Sequence, residues 1–328
     1  MHKIIPKISI LIPCFNCEQT LRQAVASCYL QGFAAEEFEI VLVNDASTDN
    51  TKKIIKKLLE EKDNISAFVN EENKGGGATR NIASSHAKSD VFFYLDSDDV
   101  LPDYTLHNMY TYLRSKKCDG VGLHHSTKFK GVDISDIDHV DTFSYVDQQI
   151  PFESLFQKND ILCPLYSVFM CTRAAFEISG GYPTVHGFDT QGFAWRFLGK
   201  GLTAYTCPNT NYFHRIDFSE SYYLREYHQG KVNFNWQHIF TEHLHLFSAP
   251  AQLFIQNFNC KDFTKNIFAE LLAIEPLLTA NYRDLLINSP ETHETNVRPQ
   301  TNSNPPTSRN SLIGLFYRLR ARIYRILE

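Results

Sequence analysis

The stretch Val91-Phe-Phe-Tyr-Leu-Asp-Ser-Asp-Asp99 joins an apolar run of strand length directly to three carboxylates. Like charges about 5 Å apart repel by about 1–3 kcal/mol at an intermediate effective dielectric, so such a cluster needs a cation or water. Carboxylate oxygens suit hard divalent cations, and Mg²⁺ is usually bound by one or two of them together with substrate phosphates. Capping of the following helix accounts for one aspartate but not for three. The stretch therefore predicts a buried strand that ends at an acidic site suited to a divalent cation.

The residues before this stretch alternate between strand and helix periods. Apolar runs of strand length lie at 7–12, 39–44, 65–70 and 91–95, and segments with helical spacing of apolar residues separate them. Pro13 is expected to end the first strand. Strands that alternate with helices of about ten to fifteen residues are typical of βαβ units. The sequence therefore predicts an α/β fold with a mostly parallel sheet and flanking helices.

Two other predicted strands also end in residues suited to binding. Pro13-Cys-Phe-Asn16 follows the first strand, and Asp45 follows the second. In an open parallel sheet, ligands bind at the carboxyl ends of the strands. The ring of Phe15 is suited to stacking on a flat base, and a carboxylate accepts hydrogen bonds from ribose or base donors. The glycines at 75–77 allow backbone N–H groups to approach an anion at a helix start, and Arg80 adds a guanidinium. Together these residues predict a cradle for a nucleoside diphosphate.

Four segments resemble, in order and spacing, family 2 glycosyltransferases of the GT-A fold. They are Ile8–Asn16, Val41–Asp49, Asn73–Asn81 and Tyr94–Leu101. The resemblance is specific over about residues 7–105 and looser to about 225. It implies transfer of a sugar from a nucleotide-sugar donor, usually UDP-linked, to an acceptor hydroxyl with inversion at the anomeric carbon. It also implies a Mn²⁺ or Mg²⁺ cofactor.

The resemblance assigns roles to individual residues. The implied donor-nucleotide-binding residues are Pro13, Phe15, Asn16, Asp45, Gly76, Arg80, Asp96 and Ser97. In the DxD motif Asp96-Ser97-Asp98, the second acid is implied to bind the metal. The segment 211–219 resembles the late family segment whose histidine completes metal coordination or contacts the diphosphate. His214 is thus either a metal ligand or a structural residue at a strand end.

A later segment resembles the family's second motif, in which an acidic pair precedes a helix that ends in arginine. Here Gly180-Gly-Tyr-Pro183 is followed by 187–196, and the usual Glu-Asp pair is Phe188-Asp189. The resemblance assigns the catalytic base to Asp189, which as an N-cap residue would also begin the helix. The missing glutamate leaves an alternative open, namely a module that binds a nucleotide sugar or glycan without turnover.

Two further readings of the acidic stretch explain fewer residues. A strand that ends in DxD is also similar to the first motif of haloacid-dehalogenase-type phosphohydrolases, but three βα units precede it here. A dinucleotide-binding domain would use the glycines at 75–77 as its fingerprint, yet Arg80 stands where a third small residue is needed. Both alternatives rank below the transferase.

Composition excludes some classes of partner. The chain has 328 residues, 43% hydrophobic, with a formal net charge of −5, so it lacks the dense basic surface that a nucleic-acid backbone requires. Its eight scattered cysteines, including the CxxC pair Cys14 and Cys17, do not form a disulfide framework. We find no signal-peptide pattern and no apolar run of about 18 residues. A cytoplasmic protein is therefore expected.

The composition of the chain differs between its successive segments. We expect a catalytic domain over 1–225 with an irregular insertion at 126–160, a helical extension at 226–287 and a flexible linker at 288–310. Residues 311–328 form a basic amphipathic pattern. Two hypotheses fit this pattern. In the first, a helix over these residues docks on an anionic surface at the inner face of a membrane, which would suit a glycan or lipid-linked acceptor. In the second, the helix packs on the protein body or on a dimer partner.

Overall fold

The computed structural model of the protein describes residues 5–131, 134, 137–143, 145–156, 163–185, 187–216, 229–262 and 264–275. The predicted linker at 288–310 and the predicted amphipathic helix at 311–328 lie outside these residues, as does the end of the helical extension.

Strands and helices alternate through the first half of the chain. The strands are β1 (Ile8–Cys14), β2 (Phe38–Asn44), β3 (Ile65–Val69), β4 (Val91–Tyr94), β5 (Gly120–Leu123), β6 (His125–Phe129), β7 (Ile137–Thr142), β8 (Met170–Thr172), β9 (Ala204–Cys207) and β10 (Phe213–Arg215). The α-helices are α1 (Leu21–Cys28), α2 (Thr51–Glu61), α3 (Gly76–His86), α4 (Thr105–Lys116), α5 (Arg173–Ser179), α6 (Asp189–Gly199), α7 (Val232–Glu242), α8 (Ala249–Asn257) and α9 (Ile267–Ile274). Short 3₁₀ helices lie at Ala35–Glu37, Phe152–Leu155, Pro164–Tyr166 and Leu244–Leu246.

The main sheet has seven strands in the order β3-β2-β1-β4-β8-β5-β9. Its neighbours run parallel except at β8, which is antiparallel to both β4 and β5. This arrangement confirms the predicted α/β fold with a mostly parallel sheet. The strand order reverses at β1, which pairs with β2 on one side and β4 on the other, and the carboxyl ends at such a point form a binding crevice.

Side chains along each central strand point alternately to the two faces of the sheet, and each face is covered by an apolar layer. On β1, Ile8, Ile10 and Ile12 contact one layer, whereas Leu11 contacts the other. Helices α1, α2 and α4 cover the first face, and α3, α5 and α6 cover the second. The core of the sheet is therefore buried on both sides, which explains the nearly continuous apolar runs in the sequence.

The prediction that Pro13 ends the first strand is wrong. Strand β1 continues to Cys14 and pairs with β2 up to the contact between Cys14 and Asn44. On the other side, β1 pairs with β4 only as far as Leu11. The nitrogen of Pro13 faces that side, beyond the end of the pairing, so its missing N–H breaks no ladder hydrogen bond.

The prediction of an irregular insertion at 126–160 is also wrong in part. Strands β6 and β7 lie in this segment and form a second, three-stranded sheet with β10. This sheet buries only a small cluster made of Val100, Phe129 and Phe213. So small an apolar core needs few apolar residues, and for this reason the segment shows no clear strand pattern.

The helices of the C-terminal extension pack onto the face of the sheet that α6 covers. Trp236, Phe240 and Phe247 belong to the same core cluster as Phe193 and Trp195 of α6. The extension therefore shares its hydrophobic core with the rest of the fold. Among the described residues, no helix is long and apolar enough to cross a membrane. All eight cysteines are free thiols.

Candidate active site

The turns that follow β1 and β2 are joined by hydrogen bonds at the crevice. The backbone N–H of Asn16 donates to the hydroxyl of Ser47 at 3.0 Å, and Oδ1 of Asn16 accepts from the N–H of Thr48 at 2.9 Å. Asn16 adopts a left-handed conformation with φ of 49°. Pro13 is half-buried beneath the turn, and the ring of Phe15 is 47% exposed. The turn thus presents an aromatic face to solvent, as stacking on a base requires.

Asp45 is buried and its carboxylate is used within the protein. It accepts hydrogen bonds from the side chain of Asn70 at 2.7 Å and from the backbone N–H groups of Lys74 and Gly75 at 2.9 Å. The carboxylate therefore fixes the glycine-rich loop ahead of α3. A direct contact between Asp45 and a base or ribose stays a prediction.

The glycines at the start of α3 allow a close approach of two segments. A Cβ atom on Gly77 would lie 2.1 Å from the carbonyl oxygen of Pro183, and one on Gly76 would lie 2.7 Å from Oδ2 of Asp189. Asn81 strengthens this contact because its side chain exchanges two hydrogen bonds, of 2.9 and 2.8 Å, with the backbone of Tyr182. The sequence suggested only an anion-binding role for these glycines. Helix packing against the loop that leads to α6 is a second reason for them.

Arg80 joins the acids of two motifs. Its Nη1 donates to Oδ2 of Asp189 at 2.5 Å, and its Nη2 donates to Oδ1 of Asp96 at 2.5 Å. The guanidinium also lies over the ring of Tyr182, with its carbon 5.5 Å from the ring centroid. Residues from α3, the end of β4 and the start of α6 thus meet at one cation. The sequence predicted that these residues share a site, but it did not predict that Arg80 bridges the two carboxylates.

The electrostatics of this bridge follow from burial and charge. Burial lowers the pKa of Arg80, but the carboxylates of Asp189 and Asp96 outweigh burial and raise it, so the guanidinium stays charged. Burial raises the pKa of Asp189 above its ordinary value, and Arg80 opposes that rise only in part. Asp189 therefore titrates closer to neutral pH than an exposed aspartate does.

Asp99 anchors β10 to the acidic loop. Its fully buried carboxylate accepts hydrogen bonds from the hydroxyl of Tyr212 and from the N–H of Arg215, the latter at 2.7 Å. Nδ1 of His214 lies 3.2 Å from the same carboxylate, which leaves Nε2 as the nitrogen able to bind a metal. This role for Asp99 was missed, and its place directly after the DxD motif was the only signal in the sequence.

Asp98 lies beside this anchor and is half-buried. Burial and the like charges of Asp99 and Asp96 raise its pKa well above the ordinary value, and the nearby His214 and a backbone hydrogen bond oppose the rise only in part. Burial lowers the pKa of His214, but the carboxylates of Asp99, Asp98 and Asp96 outweigh burial and raise it. The backbone of the loop is fixed as well, since the carbonyl of Ser97 accepts from the hydroxyl of Thr20 at 3.0 Å.

These residues fit a divalent cation that is also bound by its substrate. Among the described residues, no three His, Cys, Asp or Glu side chains form a group suited to holding a metal. If Asp98 and His214 bind a cation as predicted, they would supply two ligands at most. Mg²⁺ and related ions in such sites take one or two carboxylates and complete their coordination with substrate phosphates and water. The excess negative charge around Asp98 is the observation that favours a cation here.

Phe188 turns away from the acids. It is buried to 1% exposure and packs edge-to-face on Trp236, with 5.4 Å between the ring centroids. The position at which the resemblance predicted a glutamate therefore contributes to the core. Asp189 begins α6 beside it, and it is the single acid of the predicted second motif.

Comparisons with known proteins identify the family of the chain. The profile of the family described as Glycosyl transferase family 2 matches residues 9–174, which is half of the chain. The protein is thus an α/β protein of the glycosyltransferase class. It belongs to glycosyl transferase family 2, which confirms the resemblance inferred from its motifs.

Curated relatives align with half of the chain or less. A poly(ribitol-phosphate) beta-glucosyltransferase of Bacillus spizizenii is 30% identical over 172 residues, which cover 49% of this chain and 27% of the relative. The poly(ribitol-phosphate) beta-N-acetylglucosaminyltransferase TarS of Staphylococcus aureus is 33% identical over 127 residues, covering 38% and 21%. An uncharacterized glycosyltransferase of Haemophilus influenzae is 32% identical over 108 residues, covering 33% and 42%. The alignments span less than half the length of each relative.

Solved structures share the fold over most of the chain. The S. aureus TarS fragment 1–349 in complex with UDP-GlcNAc superposes with a TM-score of 0.60 at 19% identity, covering 82% of this chain and 72% of that one. The mannosyltransferase PcManGT of Pyrobaculum calidifontis, in complex with GDP-Man and Mn²⁺, gives 0.54 at 17% identity, covering 87% and 81%. The fold is therefore the predicted GT-A fold.

Replacing Arg80 is expected to destabilise the protein. In Arg80→Met, Asp96 and Asp189 lose their shared cation, so the free energy of unfolding at neutral pH should fall by about 2–4 kcal/mol, slightly below the range for fully buried pairs. Because Arg80 holds the pKa of Asp189 down, the variant should recover stability as the pH falls and this carboxyl becomes neutral. Urea denaturation at several pH values measures both effects.

Arg22→Met is the matched control for that experiment. Arg22 forms a similar two-nitrogen contact with Glu61, but both side chains are about half exposed, so the loss should stay below about 1 kcal/mol. Equal losses in the two variants would show that the Arg80 bridge does not hold the site together.

Gly77→Ala should destabilise the contact between α3 and the loop before α6. The new Cβ would overlap the carbonyl of Pro183, and relief of that overlap should cost about 1–3 kcal/mol or more. Gly201→Ala is the control because Gly201 has φ of 74° and open space around its Cβ position. Its cost of about 1–2 kcal/mol comes from backbone strain alone. In urea denaturation, a Gly77→Ala variant as stable as the wild type would contradict the close approach.

Proposed function

We propose that the chain transfers a sugar from a UDP-linked donor to a hydroxyl group of a glycan or lipid-linked acceptor, with inversion at the anomeric carbon. The observation that carries this proposal is the bridge from Asp96 through Arg80 to Asp189. It joins the donor motif to the second motif at the carboxyl ends of the strands, where a GT-A fold binds its substrates.

The donor nucleotide is assigned to the crevice between the ends of β1 and β4. Phe15 and Asn16 flank the base, and Pro13 shapes the turn. The start of α3 at Gly76 offers N–H groups and a positive helix end to the diphosphate. Asp96 and Ser97 border the crevice on its other side. The S. aureus neighbours were solved with UDP-GlcNAc and with UDP, which supports a UDP-linked donor.

The acceptor is assigned to the side of the cleft where Asp189 lies. Two relatives are named for the glycosylation of poly(ribitol phosphate), a polymer rich in hydroxyl groups. A hydroxyl-bearing glycan polymer or a lipid-linked glycan is therefore the proposed acceptor class. Residues 1–225 are proposed as the catalytic domain, and 226–287 as an extension that supports it. The tail at 311–328 is proposed to hold this cytoplasmic enzyme at the inner face of a membrane.

Asp189 is the proposed catalytic base. Its carboxylate would take the proton of the acceptor hydroxyl while that oxygen attacks the anomeric carbon from the face opposite the diphosphate. The new C–O bond forms as the bond to the diphosphate breaks, and UDP leaves. A base with a raised pKa works efficiently near neutral pH, and burial supplies that shift here. Arg80 keeps the carboxylate oriented and keeps part of its charge balanced.

Asp98 and Nε2 of His214 are the proposed protein ligands of a Mn²⁺ or Mg²⁺ cofactor. The cation would neutralise the charge that develops on the departing diphosphate. Asp99 would orient His214 for this task, as carboxylates do behind metal-bound histidines. The P. calidifontis neighbour was solved with Mn²⁺, which supports this assignment.

Asp189→Asn tests the reaction. The wild type is assayed for UDP release from UDP-glucose, UDP-GlcNAc and other UDP-sugars with Mn²⁺ present. Asp189→Asn should lower turnover by about 10²–10⁴-fold because the amide cannot accept the proton, while UDP still binds. Asp90→Asn, at the opposite end of the sheet, should behave like the wild type. Tight donor binding without UDP release from the wild type would favour the binding module instead.

Asp98→Asn tests the metal site. Loss of the carboxylate should weaken Mn²⁺ binding in the presence of UDP by at least about tenfold, as measured by electron paramagnetic resonance. Asp63→Asn removes an exposed surface carboxylate and should leave Mn²⁺ binding unchanged. Unaltered Mn²⁺ affinity in Asp98→Asn would place the cation elsewhere, and full turnover of the wild type in EDTA would remove the metal from the proposal.

A further inference from the structure

Helix α7 of the C-terminal extension contacts the segment that leads into Asp189. Oδ1 of Asn235 accepts a hydrogen bond from the backbone N–H of Gly187 at 3.2 Å. Next to it, the ring of Trp236 packs edge-to-face on Phe188. Asn235 is 1% exposed, so its amide oxygen is enclosed by protein. The two residues directly before Asp189 are thus held by two consecutive residues of α7.

The other end of α6 is held by the same helix. Nε and Nη2 of Arg196 donate to the two carboxylate oxygens of Glu242 at 2.9 and 2.8 Å. Between the two ends, Trp195 packs on Phe240, with 5.3 Å between the ring centroids. Helix α7 therefore contacts the chain at both ends of α6, and α6 cannot shift along its axis without breaking these contacts.

The position of Asp189 depends on the backbone just before it. Phe188 has φ of −95° and ψ of 60°, so the chain turns there before the helix begins. The N–H of Gly187 is fixed by Asn235, and the carboxylate of Asp189 is fixed by Arg80. The hydrogen bond from Gly187 thus restrains the backbone two residues before Asp189. A displacement of about 1 Å at a reacting group can cost about 100-fold in rate.

We infer that Asn235 is a positioning residue for the proposed base, acting through the N–H of Gly187, and that Trp236 supports it through Phe188. The inference rests on the proposed function and assigns to the C-terminal extension an indirect part in the reaction, through the position of Asp189. This role also explains why position 188 is a phenylalanine and not an acid, because the aromatic ring packs on α7.

Asn233 provides a matched control on the same helix. It is also a buried asparagine, and its side chain donates to the carbonyl of Lys265 at 2.8 Å and accepts from the N–H of Ile267 at 3.2 Å. These bonds join α7 to the start of α9 and do not involve the segment before Asp189. Loss of either asparagine removes a buried acceptor, but only Asn235 acts on α6.

The experiment compares Asn235→Leu, Asn235→Asp and Asn233→Leu in the full chain. Leucine has the same branched arrangement of side-chain heavy atoms as asparagine but accepts no hydrogen bond, whereas aspartate keeps an oxygen acceptor. The measurements are Tm, the Kd for UDP with Mn²⁺, and kcat and KM for the UDP-sugar that the wild type turns over fastest. If Asn235→Leu does not fold, Asn235→Ala, which leaves space for water beside Gly187, is measured in its place.

Asn235→Leu should lower kcat by about 10- to 100-fold while the Kd for UDP stays within about twofold, because the donor site is left intact. Asn235→Asp should recover most of this loss, and Asn233→Leu should lower Tm with kcat nearly unchanged. Equal effects of Asn235→Leu and Asn233→Leu on kcat, or parallel loss of UDP binding, would overturn the positioning role. A wild type that releases UDP from no UDP-sugar would instead overturn the proposed function, and the inference with it.

Discussion

The structure of the site depends on one guanidinium placed between two carboxylates. Asp96 and Asp189 come from distant parts of the chain and would repel each other in the partly buried cleft without Arg80. The bridge therefore requires that α3, the end of β4 and the start of α6 keep fixed relative positions. Several other features serve this geometry. Glycines at the start of α3 permit close contact with the loop before α6, and Asn81 fastens that loop by two hydrogen bonds.

The carboxylates around the crevice divide into two groups by what they contact. Asp45 and Asp99 are buried and satisfied by donors of the protein itself, so they hold a loop and a strand in place. Asp98 is less enclosed and is surrounded mainly by like charge, which suits it to a cation. Asp189 is intermediate between the satisfied acids and Asp98, because Arg80 balances only part of its charge. Burial and local donors, rather than residue type, decide which acid is free for chemistry.

The C-terminal extension belongs to the same physical unit as the site. Its first helix contacts α6 and shares an aromatic cluster with it, so the extension stabilises the element that carries the proposed base. The curated relatives align with the chain only over part of its length, and the matched family profile ends at residue 174, before α6 and α7. Residues such as Asn235 therefore lie where a family pattern gives no guidance.

The amino-acid sequence by itself determined the α/β fold, the mostly parallel sheet, the family and the acids at the strand ends, because apolar periodicity and short motifs are local properties of the chain. It could not show that Pro13 lies within a strand or that 126–160 contains two strands, since pairing partners decide both. Only the tertiary structure decided which acids are satisfied internally, where Phe188 points, and that Arg80 contacts a carboxylate 109 residues away. Such contacts depend on distances between segments that no local pattern encodes.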